Sequence, residues 1–181
     1  MSEVTQVFTQ LLQNARQNAE STGTCWFSYA DPDLASPCQY GEVSAEQQVR
    51  WWPVQRNECQ DFSNLEHGLE LKLHPDLQAF YGDVYGGGLQ VQHPRGKAEL
   101  LMVWHQEDFQ RLQQNIIAHI LMKRRLKQRE TVFFAVTDDD DIMLSVLNET
   151  GAVYLEHAGC EVKEQLAASL PEFLRQLTVT V

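Results

Sequence analysis

The sequence predicts an α+β domain in which helices flank a mainly antiparallel β-sheet. Near the start and in the middle of the chain, apolar residues recur at the spacing of an amphipathic helix. Three short apolar runs follow the second of these helices and are separated by turn-forming residues, as in a β-meander. Helices around such strands form the α+β class. The length of 181 residues fits one domain over residues 1–181.

The first helix is predicted at Val4–Glu20, and an irregular segment follows it at residues 21–60. Breakers such as "DPD", "SPC" and "WWP" interrupt any helical period in this segment. It nevertheless holds Trp26, Trp51 and Trp52, which are too many large aromatic residues for a disordered tail. We therefore expect the segment to be packed but rich in loops.

Two helices are predicted in the next part of the chain. The shorter one covers Ser63–Leu69. The longer one begins at Pro75, because proline suits the first turn of a helix, and its apolar residues are Leu77, Phe80, Tyr81 and Val84. Gly86–Gly88 is expected to end it. The glycines of a phosphate-binding loop would precede a helix rather than follow one.

A β-hairpin with its turn at His93–Gly96 is predicted next, and then a helix at Glu107–Lys127. The apolar face of that helix is assigned to Phe109, Leu112, Ile116, Ile120 and Leu121. At its end lies a basic cluster, Lys123–Arg129, where the helix dipole favours positive charge. A last helix is predicted at Ser169–Leu177, with Ser169 and Glu172 spaced as a capping box.

The charge balance indicates the class of partner. The chain has 14 basic and 25 acidic residues, and its net charge is −11. The basic cluster alone contains five of the basic residues, so the rest of the surface is still more acidic. Such a surface disfavours nucleic acid, whose phosphates need cations, and attracts a basic partner. No motif predicts a small-molecule substrate or a cofactor.

Targeting and redox signals point to the cytoplasm. No apolar run is long enough to span a membrane, and the first twenty residues lack the basic start and apolar stretch of a signal peptide. The four cysteines, Cys25, Cys38, Cys59 and Cys160, form no CxxC pair. We therefore expect reduced thiols rather than disulfides or a zinc site.

Four consecutive aspartates, Asp138–Asp141, could form a metal loop, a catalytic carboxylate pair, a solvated turn or a partner-binding patch. A calcium loop starting at Asp138 would need an oxygen ligand at Ile142 and a glycine at Met143. Neither residue fits, and both belong to a run with strand-like alternation. The aspartates are therefore predicted at a turn of the meander.

Nothing in the sequence predicts an enzyme. No cysteine or histidine lies in a catalytic or metal-binding motif. His119 is interpreted as a hydrogen-bonded core histidine in the long helix. Glu66 and Asp108 could act as a carboxylate pair only if the fold brings them together.

Several separated blocks of the chain resemble the Syd family of bacterial SecY-interacting proteins. The central block has Trp104, "EDF" at Glu107–Phe109, and a set of further matches, Gln114, Asn115, His119, Lys123, Leu126 and Lys127. "SPC" at Ser36–Cys38, "WWP" at Trp51–Pro53 and "LAASLPEFLRQL" are also similar. The segment from Leu65 to Gly88 resembles the signature of a wider superfamily that includes bacterial toxin-immunity proteins.

The resemblance implies a non-enzymatic regulatory protein with a concave acidic face. Its partner would be the basic cytosolic loops of the SecY translocation channel, at the cytoplasmic face of the inner membrane. An immunity protein that neutralises a basic toxin is the alternative. The candidate partner-binding residues are Glu66, Asp83, Glu107, Asp108, Asp138, Asp139, Asp140 and Asp141. The candidates for contact with anionic lipid are Lys123, Arg124, Arg125 and Lys127.

Overall fold

A computed structural model describes residues 1–58 and 60–180 of the chain, so that the prediction for Cys59 lies outside the described residues. The helices are α1 (Glu3–Thr22), α2 (Ser63–Leu69), α3 (Pro75–Gly82), α4 (Gln106–Arg125) and α5 (Leu170–Leu174). The first seven strands are β1 (Trp26–Tyr29), β2 (Gln39–Tyr40), β3 (Gln48–Trp51), β4 (Val54–Gln55), β5 (Val84–Tyr85), β6 (Leu89–His93) and β7 (Gly96–Leu100). The remaining five are β8 (Thr131–Val136), β9 (Ile142–Leu147), β10 (Val153–His157), β11 (Glu164–Ala167) and β12 (Thr178–Val179).

Seven strands form the main sheet in the order β11-β10-β9-β8-β7-β6-β12, and each pairs antiparallel with its neighbours. The predicted hairpin is β6–β7, and the predicted meander is β8–β9–β10. Together with the five helices of the described residues, this sheet gives the predicted α+β fold.

Helices pack on both faces of this sheet. On one face, ring contacts run from Phe8 of α1 through Phe80 of α3 and Phe134 of β8 to Phe173 of α5, with centroid separations of 5.1, 5.9 and 5.5 Å. On the other face, the ring of His119 in α4 lies 5.5 Å from that of Phe133. Phe133 and Phe134 are adjacent in β8, so the alternation of side chains along that strand joins the two layers.

The segment at residues 21–60 is more ordered than predicted. It forms a small sheet in the order β1-β3-β2, and β4 pairs with β5. The rings of buried Trp26 and Trp51, on β1 and β3, lie 5.3 Å apart. Trp104, which precedes α4, contacts the ring of Trp51. Trp26 and Trp51 are packed, as predicted, but on strands, and Trp52 follows β3 directly.

The predicted end of α3 is wrong. The helix ends at Gly82, and Val84 lies in β5 instead. The glycines lie after that strand, and two of them allow close packing: a Cβ on Gly87 would be 3.0 Å from the Trp51 ring, and one on Gly86 would meet Met102. The absence of a side chain at these two glycines therefore allows Trp51 and Met102 to pack closely, and it does not serve to end a helix.

The other helices follow the prediction with small shifts. The Ser169 hydroxyl accepts a hydrogen bond from the Glu172 amide, 3.3 Å away, which confirms that side of the predicted cap. In α4, Phe109, Ile116 and Ile120 are buried, but Leu121 is exposed. The assignment of Leu121 to the apolar face is therefore wrong, because its side chain lies at the edge of that face and is exposed to solvent.

Candidate partner-binding surface

The start of α4 brings carboxylates from distant parts of the chain together around His105. The His105 ring is buried, and its Nδ1 accepts a hydrogen bond from the Asp108 amide, 3.2 Å away. The Asp31 carboxylate lies 3.7 Å from Nε2 of the same ring, and the Asp108 carboxylate lies 3.9 Å from Nδ1. Asp31 follows β1, so the ring links the small sheet to α4.

A polar cleft of about 360 Å³ continues this region between the start of α2 and the first turns of α4. Glu58 and Asp61 line one side, and Gln106, Gln110 and Gln113 line the α4 side. Glu107 is exposed on α4 beside it. We name Asp31, Glu58, Asp61, Glu107 and Asp108 the acidic cluster.

Two arginines accompany the acidic cluster, and both are engaged by the protein itself. Arg111 pairs with Asp108, and this hydrogen bond raises the pKa of the guanidinium. Arg56 lies over the rings of Tyr85 and Phe109, at 4.1 and 4.9 Å, and burial lowers its pKa. Within residues 1–58 and 60–180, no ion pair neutralises Glu58, Asp61 or Glu107. Hydrogen bonds from Ser63 lower the pKa of Asp61, so its carboxylate is charged at neutral pH.

The aspartate run Asp138–Asp141 occupies the turn between β8 and β9, as predicted, and all four residues are exposed. The Thr137 hydroxyl accepts a hydrogen bond from the Asp139 amide at 3.1 Å, and Asp139 accepts one from the Asp141 amide at 2.9 Å. A shallow cleft next to the turn contains Lys97 and Glu99. No hydrogen bond or ion pair between described residues joins this run to the acidic cluster, so the run is a separate patch.

Glu66 is held inside the protein. One of its carboxylate oxygens accepts hydrogen bonds from the Leu73 amide at 3.0 Å and the Gln78 side chain at 2.9 Å. The other oxygen pairs with Lys72 at 3.0 Å. These contacts fix the connection between α2 and α3, and no contact described here joins Glu66 to Asp108. Glu66 therefore has a structural role between α2 and α3.

Asp83 also has a structural role. It directly follows α3, and its carboxylate accepts a hydrogen bond from the Thr5 hydroxyl of α1. Its carbonyl oxygen accepts a hydrogen bond from the Arg56 amide at 2.8 Å. Because both groups are engaged and the residue is only partly exposed, Asp83 is not included in the acidic cluster.

The prediction that Lys123 contacts lipid is wrong. Its side chain is 0% exposed, and its Nζ donates to the Glu156 carboxylate and to the Cys160 carbonyl oxygen, both at 2.8 Å. The Thr131 hydroxyl donates to the same carboxylate at 2.8 Å, and its oxygen lies 2.9 Å from Nε2 of His119. This arrangement confirms His119 as a hydrogen-bonded core histidine.

The other cations of the basic cluster differ in their availability. Arg124 pairs with Glu130, and Arg129 pairs with Glu161 at 3.3 Å. Arg125 and Lys127 are exposed and have no ion-pair partner among the described residues. Leu121 and Leu126, two exposed leucines, lie beside them. The end of α4 thus presents two free cations next to apolar side chains.

Sequence reasoning found Glu107 and Asp108 but missed Asp31, Glu58 and Asp61. These three lie in or beside the segment whose strands were not predicted, and no local pattern relates them to α4. The "DPD" motif at Asp31 was interpreted only as a helix breaker. In the described part of the chain, no group of three or more His, Cys, Asp or Glu side chains is arranged to hold a metal ion.

Comparisons with known proteins confirm the family resemblance. A family model described as Syd protein (SUKH-2) matches residues 1–179. Protein Syd of Pseudoalteromonas atlantica is 48% identical over 152 residues, which cover 83% of this chain and 82% of that protein. Protein Syd of Colwellia psychrerythraea is 38% identical over 191 residues, covering 98% and 96%. The chain belongs to the Syd family.

No described helix is both long and apolar enough to cross a membrane. The two longest, α1 and α4, have 20 residues each. Neither they nor any other helix within residues 1–58 and 60–180 combines the length and the apolar character needed to cross a bilayer.

Proposed function

We propose that the protein is a non-enzymatic regulator that binds the basic cytosolic loops of the SecY translocation channel through its acidic surface. The Syd family resemblance implies this partner. The observation that carries the proposal is the acidic cluster, in which carboxylates from three parts of the chain converge at the start of α4. Of the two described arginines beside it, Arg111 is paired with Asp108 and Arg56 is packed against aromatic rings. A basic loop would supply the missing positive charge.

The cluster is built to attract rather than to catalyse. Glu58, Asp61 and Glu107 are exposed, and exposed charges contribute little to affinity individually but raise the association rate together. The cleft beside them is lined mainly by side-chain amides, which can exchange hydrogen bonds with a peptide backbone. The aspartate run, as a second patch, adds to the same long-range field.

The proposed location is the cytoplasmic face of the bacterial inner membrane. The acidic cluster would engage the channel, while Arg125 and Lys127 at the other end of α4 would face anionic lipid headgroups. The two exposed leucines beside these cations favour such a contact, because apolar side chains next to cations suit the boundary between headgroups and acyl chains. Lys123 has no part in this contact.

The amount of protein bound to inner-membrane vesicles tests the proposal. Vesicles with raised, ordinary and depleted levels of SecY are incubated with the purified protein and sedimented. The bound fraction should rise and fall with the amount of SecY, whereas a bound fraction that is independent of SecY would contradict the proposed receptor. A Glu149→Gln variant should bind as the original protein does at each level of SecY, since Glu149 is an exposed acid in the β9–β10 turn and lies outside the acidic cluster.

A further inference from the structure

The outer face of the small sheet exposes two large aromatic side chains on its edge strand. Phe27 is 58% exposed and Tyr29 is 64% exposed. Both lie on β1, whose sequence is WFSY, and their neighbour Trp26 points into the core. Within residues 1–58 and 60–180, the order β1-β3-β2 gives β1 a single strand neighbour, β3.

The register shows that backbone groups of the same two residues point away from the sheet. The Ala30 amide donates to the Gln47 carbonyl oxygen at 2.8 Å, which makes these residues a hydrogen-bonded pair. In an antiparallel ladder, hydrogen-bonded pairs alternate with non-bonded pairs. The amide and carbonyl groups of Ser28 therefore point towards β3, whereas those of Phe27 and Tyr29 point away from it, towards the open edge. No hydrogen bond described for residues 1–58 and 60–180 engages their amide or carbonyl groups.

The protection of this edge is limited to its short length of four residues. Natural edge strands are kept short, or they carry lysine, proline, a bulge or a covering segment that prevents pairing with another chain. The edge strand β11 of the main sheet follows this rule, with Lys163 just before it and Glu164 at its start. The β1 sequence contains neither a charge nor a proline. An open edge with aromatic side chains is suited to accept an additional strand.

The charge around β1 indicates the chemistry of that strand. Asp31 and Asp33 lie in the segment after the end of β1 at Tyr29, and Asp31 approaches the buried His105 ring that also contacts Asp108. The open edge therefore leads into the acidic cluster. Arg50, an exposed cation of the small sheet, lies on β3 directly opposite Phe27 and on the same face, one strand in from the open edge.

We propose that a basic, extended segment of the partner adds to the small sheet as a strand beside β1. Its backbone would pair with Phe27 and Tyr29, an apolar side chain would cover the two rings, and its cations would reach Asp31 and the acidic cluster. This inference rests on the proposed function, under which the segment is a cytosolic loop of SecY. It adds the recognition mode, namely main-chain pairing in addition to charge.

Two substitutions at one position separate main-chain pairing from side-chain contact. Phe27→Pro removes the outward amide, and it leaves the bonds between β1 and β3 intact because that amide does not take part in them. Phe27→Thr keeps the amide and a strand-compatible side chain but removes the ring. Binding of both variants to detergent-solubilised SecY complex is measured, and thermal unfolding verifies that each variant is folded.

We expect Phe27→Pro to weaken binding at least tenfold. The loss of affinity caused by Phe27→Thr should be several times smaller than that caused by Phe27→Pro. In the unsubstituted protein, exchange of the Phe27 and Tyr29 amides with solvent should slow on binding, a result that does not depend on any variant. Equal affinities for both variants, with unchanged amide exchange, would overturn strand addition while binding to SecY persists. Slowed exchange that instead requires high concentration of the protein alone would show pairing with a second copy. Absence of any SecY binding would refute the proposed function as well.

Discussion

The ammonium of Lys123 and the carboxylate of Glu156 form an ion pair of 2.8 Å that is closed to water, with exposed fractions of 0% and 1%. The pair joins the last turn of α4 to β10, and the Cys160 carbonyl oxygen accepts a second hydrogen bond from the ammonium. Two charges that are buried together are tolerated because each satisfies the other. The basic cluster therefore contains one residue that holds the fold and others that face solvent.

Removal of one member of this pair should destabilise the protein strongly. Lys123→Met leaves the Glu156 carboxylate buried with only the Thr131 hydroxyl and the distant His119 as partners, and breaking such a pair costs about 3–5 kcal/mol. Unfolding in urea measures the loss. The double variant Lys123→Met/Glu156→Gln should recover at least half of it. Lys127→Met changes an exposed residue and is the control; it should change stability by less than about 0.5 kcal/mol. Equal losses of stability in Lys123→Met and Lys127→Met would contradict the structural role of Lys123.

The stability of the protein should depend on pH through His119. Burial lowers the pKa of its imidazole in the folded state, and Lys123 lowers it further, whereas Glu156 acts in the opposite direction. In the unfolded chain the pKa is about 6.5. Since the folded state binds the proton less readily, this contribution to stability is fully present above about pH 6.5 and is lost as the pH falls towards the folded-state pKa.

The difference in unfolding free energy between the original protein and a His119→Gln variant, followed from pH 8 to pH 5, isolates this contribution. Glutamine can still donate a hydrogen bond to Thr131 but does not titrate. The stability advantage of the original protein over the variant should shrink as the pH falls below about 6.5. A difference that is constant over the whole range, or that grows on acidification, would show that the His119 pKa is not lowered.

The lipid contact proposed for the end of α4 depends on two cations. The double variant Arg125→Gln/Lys127→Gln should weaken binding to SecY in anionic bilayers by about 2 kcal/mol, from about 1 kcal/mol per basic residue near such a surface. Binding to SecY in neutral detergent should not change. An Arg124→Gln variant is the comparison, because Arg124 is already paired with Glu130. Equal losses in bilayer and detergent would indicate direct contact with the channel or a folding defect.

The aspartate run should influence the rate of binding more than its strength. Changing Asp138–Asp141 to asparagine removes four exposed charges, and it should slow association with SecY severalfold at low salt. Near 1 M salt, where the Debye length is about 3 Å, the effect should disappear. The variant should remain folded and become slightly more stable, because repulsion within the turn is relieved. Stopped-flow kinetics at the two salt concentrations measure the effect. Equal association rates of the original protein and the variant at low salt would show that the aspartate run is only a solvated turn.

Features set by local sequence were predicted well. The long helices follow from the spacing of their apolar residues, as at Phe109, Ile116 and Ile120, and the start of α5 follows from Ser169 and Glu172. The β6–β7 hairpin follows from its turn at His93–Gly96. In each case the signal lies within a few residues of the structure that it specifies.

Features that depend on distant partners were not predicted. The small sheet uses strands of two to four residues, which are too short to show a period, and it is held by tryptophans that meet only in the fold. Lys123 lies in a basic run, and nothing nearby indicates that its counterion is Glu156, 33 residues later. Likewise, Asp31 joins Asp108 only through the buried His105 ring.

The central claim is that the acidic cluster recognises the basic loops of SecY. The most direct measurement is the association rate with SecY in nanodiscs for the triple variant Glu58→Gln/Asp61→Asn/Glu107→Gln, beside Glu149→Gln as a control of similar exposure. The triple variant should associate about tenfold more slowly at low salt and approach the original rate near 1 M salt, since exposed charges act mainly through long-range attraction. The control should be close to unchanged. A triple variant that associates at the original rate at low salt would contradict the account.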